Sequence, residues 1–231
     1  LQRGARHVYR VPLEAGQFLY LTAQQRALDI GLRLLAPDGA LLISADTMNG
    51  SFGIERIAFV APATGDYSLE VSTGSDRPAG RYALTVAVLR VATPEDSRHA
   101  AAEKTYADAE ALRLQNTADA RAAAIAKYRE AAATFQPLGL RYETAMALFS
   151  TGILQLTGGD ARGAAVTLGA ALPHARALDD PLVPSVTNAL GGAHDILGDL
   201  TAAMAQYHEA LAGFRSLGNR NGEANALNNI G

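Results

Sequence analysis

The sequence contains no cysteine. That removes disulfides, thiolate metal sites and a cysteine nucleophile from the chemistry open to these 231 residues. Lysine is almost missing too, with Lys104 and Lys127 the only two. The formal net charge of -3 leaves no basic footprint for nucleic acid and no cationic surface suited to an anionic membrane. No apolar run approaches the roughly 20 residues that a membrane-spanning helix needs. The histidines His7, His99, His174, His194 and His208 fall in no H-E-x-x-H arrangement, so a zinc site built by this chain is not expected. His194 and Asp195 are adjacent, which places them about 100° apart on a helix and not facing each other. There is no G-x-S-x-G and no phosphate-cradling loop. These absences predict a chain with no catalytic residues and no cofactor of its own.

What is present is an internal repeat. Tyr128–Gly152, YREAAATFQPLGLRYETAMALFSTG, lies over Tyr207–Gly231, YHEALAGFRSLGNRNGEANALNNIG, without a gap. Half of that offset appears as well: Asp160, Ala164, Ala171 and Leu172 match Asp199, Ala203, Ala210 and Leu211. A period near 40 residues with apolar positions at helical spacing predicts stacked helix pairs. Chains of that kind recognise things more often than they transform them.

Residues 1 to 90 follow another rule, an alternation of period two that marks strands. Tyr9, Val11 and Leu13 alternate with Val8, Arg10 and Pro12, and Tyr67, Leu69 and Val71 with Ser68, Glu70 and Ser72, while Tyr82, Leu84, Val86 and Val88 keep the same spacing. Pro37-Asp38-Gly39 predicts a hairpin, because proline presets the turn and glycine accepts the positive φ that closes it. A Gly-Ser-Asp-Arg-Pro-Ala-Gly loop precedes the last strand. Seven short strands predict an antiparallel β-sandwich. Asp29, Asp38, Asp46, Glu55 and Asp66 are scattered, without a D-x-D-x-D run for calcium, and read as solvated loop acids.

Gly16-Gln17-Phe18-Leu19, the Pro37-Asp38-Gly39 hairpin, Gly65-x-Tyr67-x-Leu69-x-Val71 and Gly80-x-Tyr82-x-Leu84 resemble the bacterial pre-peptidase C-terminal (PPC) sandwich. The two Gly-x-Tyr pairs are expected to fix turns, with each tyrosine hydroxyl reaching a backbone partner.

Thr93-Pro94-Glu95-Asp96 marks the change of fold: a cap, a proline at the first helical position, and two acids at the positive end of the dipole. Helices are expected at about 94–114, up to 136, 141–156, 161–177, 181–197 and 201–217, with a last one from 220. Gly158-Gly159-Asp160 and Gly198-Asp199 supply the left-handed residue that ends one helix and the aspartate that caps the next. Pro137 should end its helix early, and Pro173 should bend its own. Gly152, Gly191 and Gly231, with Ala164, Ala203, Ala171, Ala210, Leu168 and Tyr207, resemble the small and large positions of tetratricopeptide repeats (TPR). The expected organisation is a PPC-like β-sandwich at 1–90 and a TPR-like α-solenoid at 91–231, about three helix pairs plus one unpaired terminal helix. Ala224, Leu227 and Ile230 form an apolar stripe expected to pack on the 201–217 helix, with further repeats expected after Gly231.

Counting from the crossing glycines places Met146, Phe149, Ile153 and Leu156, then Ser185, Asn188 and Asp195, then Asn225 and Asn228, along the concave face. The first four would form an apolar pocket. The asparagines would either read the backbone of an extended peptide or bond to neighbouring helices and water. A sandwich followed by such repeats resembles the N-terminal part of bacterial CHAT-domain proteins. That resemblance implies a sensing or substrate-recruiting region for a caspase-like peptidase domain lying elsewhere, while the PPC resemblance tilts the compartment towards outside the cytoplasm. The alternatives are a free-standing TPR adaptor that binds protein partners, or a surface-polymer-binding sandwich with the helices as spacer.

Overall fold

The computed structural model describes residues 4–48, 52–73, 80–178 and 181–231, so most of the Gly-Ser-Asp-Arg-Pro-Ala-Gly loop lies outside the described residues. Among the described residues seven strands come first: β1 (Arg6–Leu13), β2 (Gln17–Arg26), β3 (Gly31–Leu35), β4 (Leu41–Ala45), β5 (Ile54–Val60), β6 (Gly65–Ser72) and β7 (Arg81–Val91). Seven α-helices follow among the described residues: α1 (Pro94–Arg113), α2 (Ala118–Phe135), α3 (Arg141–Thr157), α4 (Ala161–Arg176), α5 (Val183–Ile196), α6 (Leu200–Ser216) and α7 (Arg220–Ile230). No helix is long and apolar enough to cross a membrane among the described residues. The chain divides into two compact units, Leu1–Glu110 and Ala111–Gly231.

In the first unit the strands form two antiparallel sheets, ordered β1-β6-β3-β4 and β5-β2-β7. Their facing side chains, among them Leu19, Leu21, Leu32, Leu34, Leu69 and Val71, make one core. The Pro37-Asp38-Gly39 turn joins β3 to β4 with Gly39 at φ +87° and its N–H bonded to the Ala36 carbonyl at 2.9 Å. Tyr67 donates from its hydroxyl to the Ala63 carbonyl at 2.8 Å, as expected of it. Tyr82 does not follow: its hydroxyl meets Tyr9 Oη and His7 Nδ1, each at 2.6 Å. An edge strand leaves Tyr82 within reach of side chains on the opposite sheet, so no backbone partner is required.

Helix α1 begins with a reciprocal cap. The Asp96 N–H donates to Thr93 Oγ1 at 3.2 Å, and the Thr93 N–H donates to Asp96 Oδ2 at 2.8 Å. The first unit extends through most of α1, a helix beyond the change of sequence period. Its buried residues explain this. His99 lies against the rings of Phe18 and Tyr20, with centroids 5.7 and 5.0 Å apart, and Arg56 pairs with Glu103. The outward face of β2 and β5 is thus covered by α1.

In the second unit each helix packs on the next, from α2 to α7, and α5 also touches α3 and α7. Asp160 and Asp199 cap α4 and α6 by accepting from the N–H groups of Gly163 at 2.9 Å and Ala202 at 3.0 Å. The paired helices approach closely at glycines. A Cβ on Gly152 would stand 2.5 Å from Leu168 Cγ, and one on Gly191 would stand 2.7 Å from the Tyr207 ring. Helix α2 stops at Phe135 and a 3-10 turn carries Pro137, whereas α6 runs on to Ser216. Pro173 is accommodated inside α4, which continues to Arg176. On α7 the residues that meet α6 are Gly222, Ala226 and Ile230, while Ala224 and Leu227 are exposed. The expected stripe was therefore out by a fraction of a turn: spacing of four, not three, selects the packed face.

Candidate functional site

The exposed faces of α5 and α7 hold the accessible part of the anticipated groove. Asp195, Asn225 and Asn228 are exposed, and Ser185 and Asn188 are half-buried. Asn188 makes its helix-to-helix bond with a residue the repeat count did not select. Asn229 Nδ2 donates to Asn188 Oδ1 at 3.2 Å. The two stand 41 positions apart, one more than the nominal repeat, so only the actual helix phase reveals the pair.

The apolar half is different. Met146 is 0% exposed and Phe149 6%, while Ile153 and Leu156 are half-buried. Met146 and Phe149 thus present no surface to a ligand, which corrects their assignment to an open pocket. Helix α3 is buried on most sides, Thr144, Ser150, Thr151 and Gln155 included, and counting positions from one glycine cannot tell its buried sides from its exposed one.

Glu103 and Glu55 each anchor a buried polar centre in the first unit. On the outward side of β5, Arg56 Nε donates to Glu103 Oε1 at 2.6 Å, and its guanidinium carbon lies 5.0 Å from the Tyr106 ring centroid. Burial pushes the Glu103 carboxyl up, but Arg56 and His99 outweigh it and hold Glu103 below the usual range. A cleft beside this pair, edged by Ile43, Thr47 and Tyr106, encloses about 20 Å³, room for about one water.

On the inward side, Glu55 is 0% exposed. It accepts from the Thr47 N–H at 3.1 Å, from Thr47 Oγ1 at 2.9 Å and from Gln25 Nε2 at 3.4 Å. Burial raises its pKa to about 7, against the pull of the Thr47 bonds and the Arg56 charge. Asp29 is also buried, whereas Asp38, Asp46 and Asp66 are exposed. Glu55 and Asp29 are accordingly not solvated loop acids. Glu55 sits opposite Ala23, an inward position of the pleat, and only the strand register makes that visible.

The architecture defines a class: a two-sheet antiparallel sandwich followed by consecutively packed helices. The family model described as "Domain of unknown function (DUF7373) N-terminal" matches residues 28–153, more than half of the chain, and the chain belongs to that family. The match runs from just ahead of β3 into α3, so it takes in both kinds of structure. No match was found among curated proteins.

Proposed function

We propose that this chain is a recognition scaffold whose helical unit, of the TPR kind, binds an extended peptide or protein segment. The sandwich ahead of it is of the PPC kind. The observation that carries the reading is the Asn188–Asn229 side-chain pair spanning α5 and α7 at the surface. The same two helices carry Asp195, Asn225 and Asn228, all exposed. Each amide offers both a donor and an acceptor, the combination that a peptide main chain presents, and an amide pair can trade its mutual bond for bonds to a ligand. Gly152 against Leu168 and Gly191 against Tyr207 support equivalent crossings in successive helix pairs. In a longer parent of the CHAT kind, such a scaffold would recruit substrate for a caspase-like domain whose cysteine lies outside these residues.

The test is a peptide array of unstructured segments probed with the purified chain. Binding of the strongest peptides should fall about tenfold or more in Asn188→Ala and in Asn225→Ala, as loss of paired amides requires. Binding left intact in both variants would overturn the assignment. A caspase-like His/Cys dyad encoded after the helices would support the peptidase reading, and a gene without one would remove it.

A further inference from the structure

The sandwich has an open side, quite apart from the peptide reading of the helices. Among the described residues β7 pairs only with β2, and β1 only with β6, so both are edge strands. Residues directly opposite across an antiparallel pair share a face. On β7, Tyr82, Leu84 and Val86 stand opposite Gln25, Ala23 and Leu21, all of them buried. On β1, His7 and Tyr9 stand opposite Val71 and Leu69, both in the core. These side chains therefore belong to the inward faces of the two sheets, yet Val86 is 55% exposed and Tyr9 38%. Tyr82 and Leu84 still pack on the core, so among the described residues the filling of the sandwich gives out at Val86 and Tyr9. One sheet has four strands and the other three, and the gap falls beside the three-stranded one. His7, Tyr9, Arg81, Tyr82 and Leu84 line an open cleft at this place.

The stretch Arg81–Val86 is regular, because the register shift in β7 comes only after Val86. Exposed edges are normally blunted by bulges and charges, and this strand has its bulge beyond that stretch. No strand among the described residues takes the outer edge of Arg81–Val86, so its backbone offers a place for one along about six residues. The charges select the occupant. Arg6, Arg10 and Arg90 are already paired with Glu70, Asp66 and Asp96. Arg81 has no ion-pair partner among the described residues, and it stands with His7 at one end of the cleft. A strand entering antiparallel to β7 would finish at that end. We propose that the β1–β7 opening accepts an extended segment of a partner protein as an additional strand on β7. The segment would carry apolar residues at every second position and a carboxylate where it passes Arg81. Its main chain would bond to Arg81–Val86, its apolar side chains would cover Val86 and Leu84, and its carboxylate would meet Arg81.

The test uses the full chain and a fluorescein-labelled peptide of alternating valine and threonine ending in glutamate, followed by polarisation. Two controls separate strand addition from simple apolar capture: the same peptide N-methylated at alternate residues, and one ending in lysine. The proposal expects saturable binding that falls about tenfold or more on N-methylation and in Val86→Lys. It also expects that Arg81→Glu weakens the glutamate peptide and strengthens the lysine peptide. Val86 is exposed, so Val86→Lys should keep the melting temperature of the parent, which the same samples report. Absence of binding, or binding indifferent to N-methylation and to Val86→Lys, overturns the proposal. Binding lost in Asn188→Ala but kept in Val86→Lys moves the peptide to the helices and also overturns it. Light scattering of the parent covers the remaining occupant: a dimer that Val86→Lys dissolves would assign the edge to a second copy and not to a partner segment.

Discussion

Arg56, on the outward face of β5, donates from Nε to Glu103 Oε1 on α1, with the two side chains 1% and 9% exposed. Two charges withdrawn from water owe their tolerance to each other, so removing one leaves the other stranded. Arg56→Met or Glu103→Met alone should cost about 3–5 kcal/mol, while the double variant should cost markedly less than their sum. Urea denaturation of the four proteins measures the coupling. Additive losses would mean that the pair does not hold α1 on the sheet.

Two of the buried acids, Glu103 and Glu55, should impose opposite pH dependences. Glu103 is depressed, so its contribution is present above the ordinary carboxylate range and is lost as pH falls. Glu55 is raised from 4.5 to about 7, so the folded chain holds a proton there that the unfolded chain has released. Its contribution is full below pH 4.5 and is lost as pH rises through about 7. The change is on the order of 3 kcal/mol across that window, given about 1.4 kcal/mol per pH unit. Glu55→Gln keeps an acceptor for Thr47 and should flatten the decline in stability between pH 5 and about 8, as linkage requires. Denaturation midpoints that decline as steeply in the variant would assign the effect to another group.

Much of this fold could be read from one sequence because its signals are local. The alternation in β6, the Pro37-Asp38-Gly39 hairpin and the Asp160 and Asp199 caps each act within a few residues, and the structure has them where the sequence places them. The misses needed the third dimension. Glu55 looks like any other acid until the register sets it opposite Ala23. Met146 and Phe149 lie on a helix that buries polar residues such as Thr144, Ser150 and Thr151 along with apolar ones, so no periodicity marks the side facing solvent. Asn229 differs from Asn228 by only one position, about 100° of helix, yet that decides which of them meets Asn188.

The crossing at Gly191 should tolerate no side chain. A methyl there would stand 2.7 Å from the Tyr207 ring and 3.3 Å from the Ala203 carbonyl. Gly191→Ala should therefore destabilise by about 1–3 kcal/mol through forced displacement of α6. Pairing it with Tyr207→Leu should recover part of the loss, since the ring is the nearer obstacle. A loss unchanged by the second substitution would place the conflict at the Ala203 carbonyl.

Phe149 and Asn188 separate what is packed from what is presented. Phe149 is nearly sealed, and truncating a buried phenylalanine removes its burial and leaves a cavity. Phe149→Ala should cost about 3–5 kcal/mol and lower the melting temperature of the chain. Asn188 is half-buried, and its bond to Asn229 lies at the surface, where water can replace either partner. Asn188→Ala should accordingly cost about 1 kcal/mol or less in stability. Its effect should instead appear in peptide binding, where the ligand's main-chain groups would lose a partner on entering the site. Thermal melts and titrations on both variants decide the matter. Equal losses of stability would make Asn188 a packing residue and withdraw the α5–α7 face as the recognition surface.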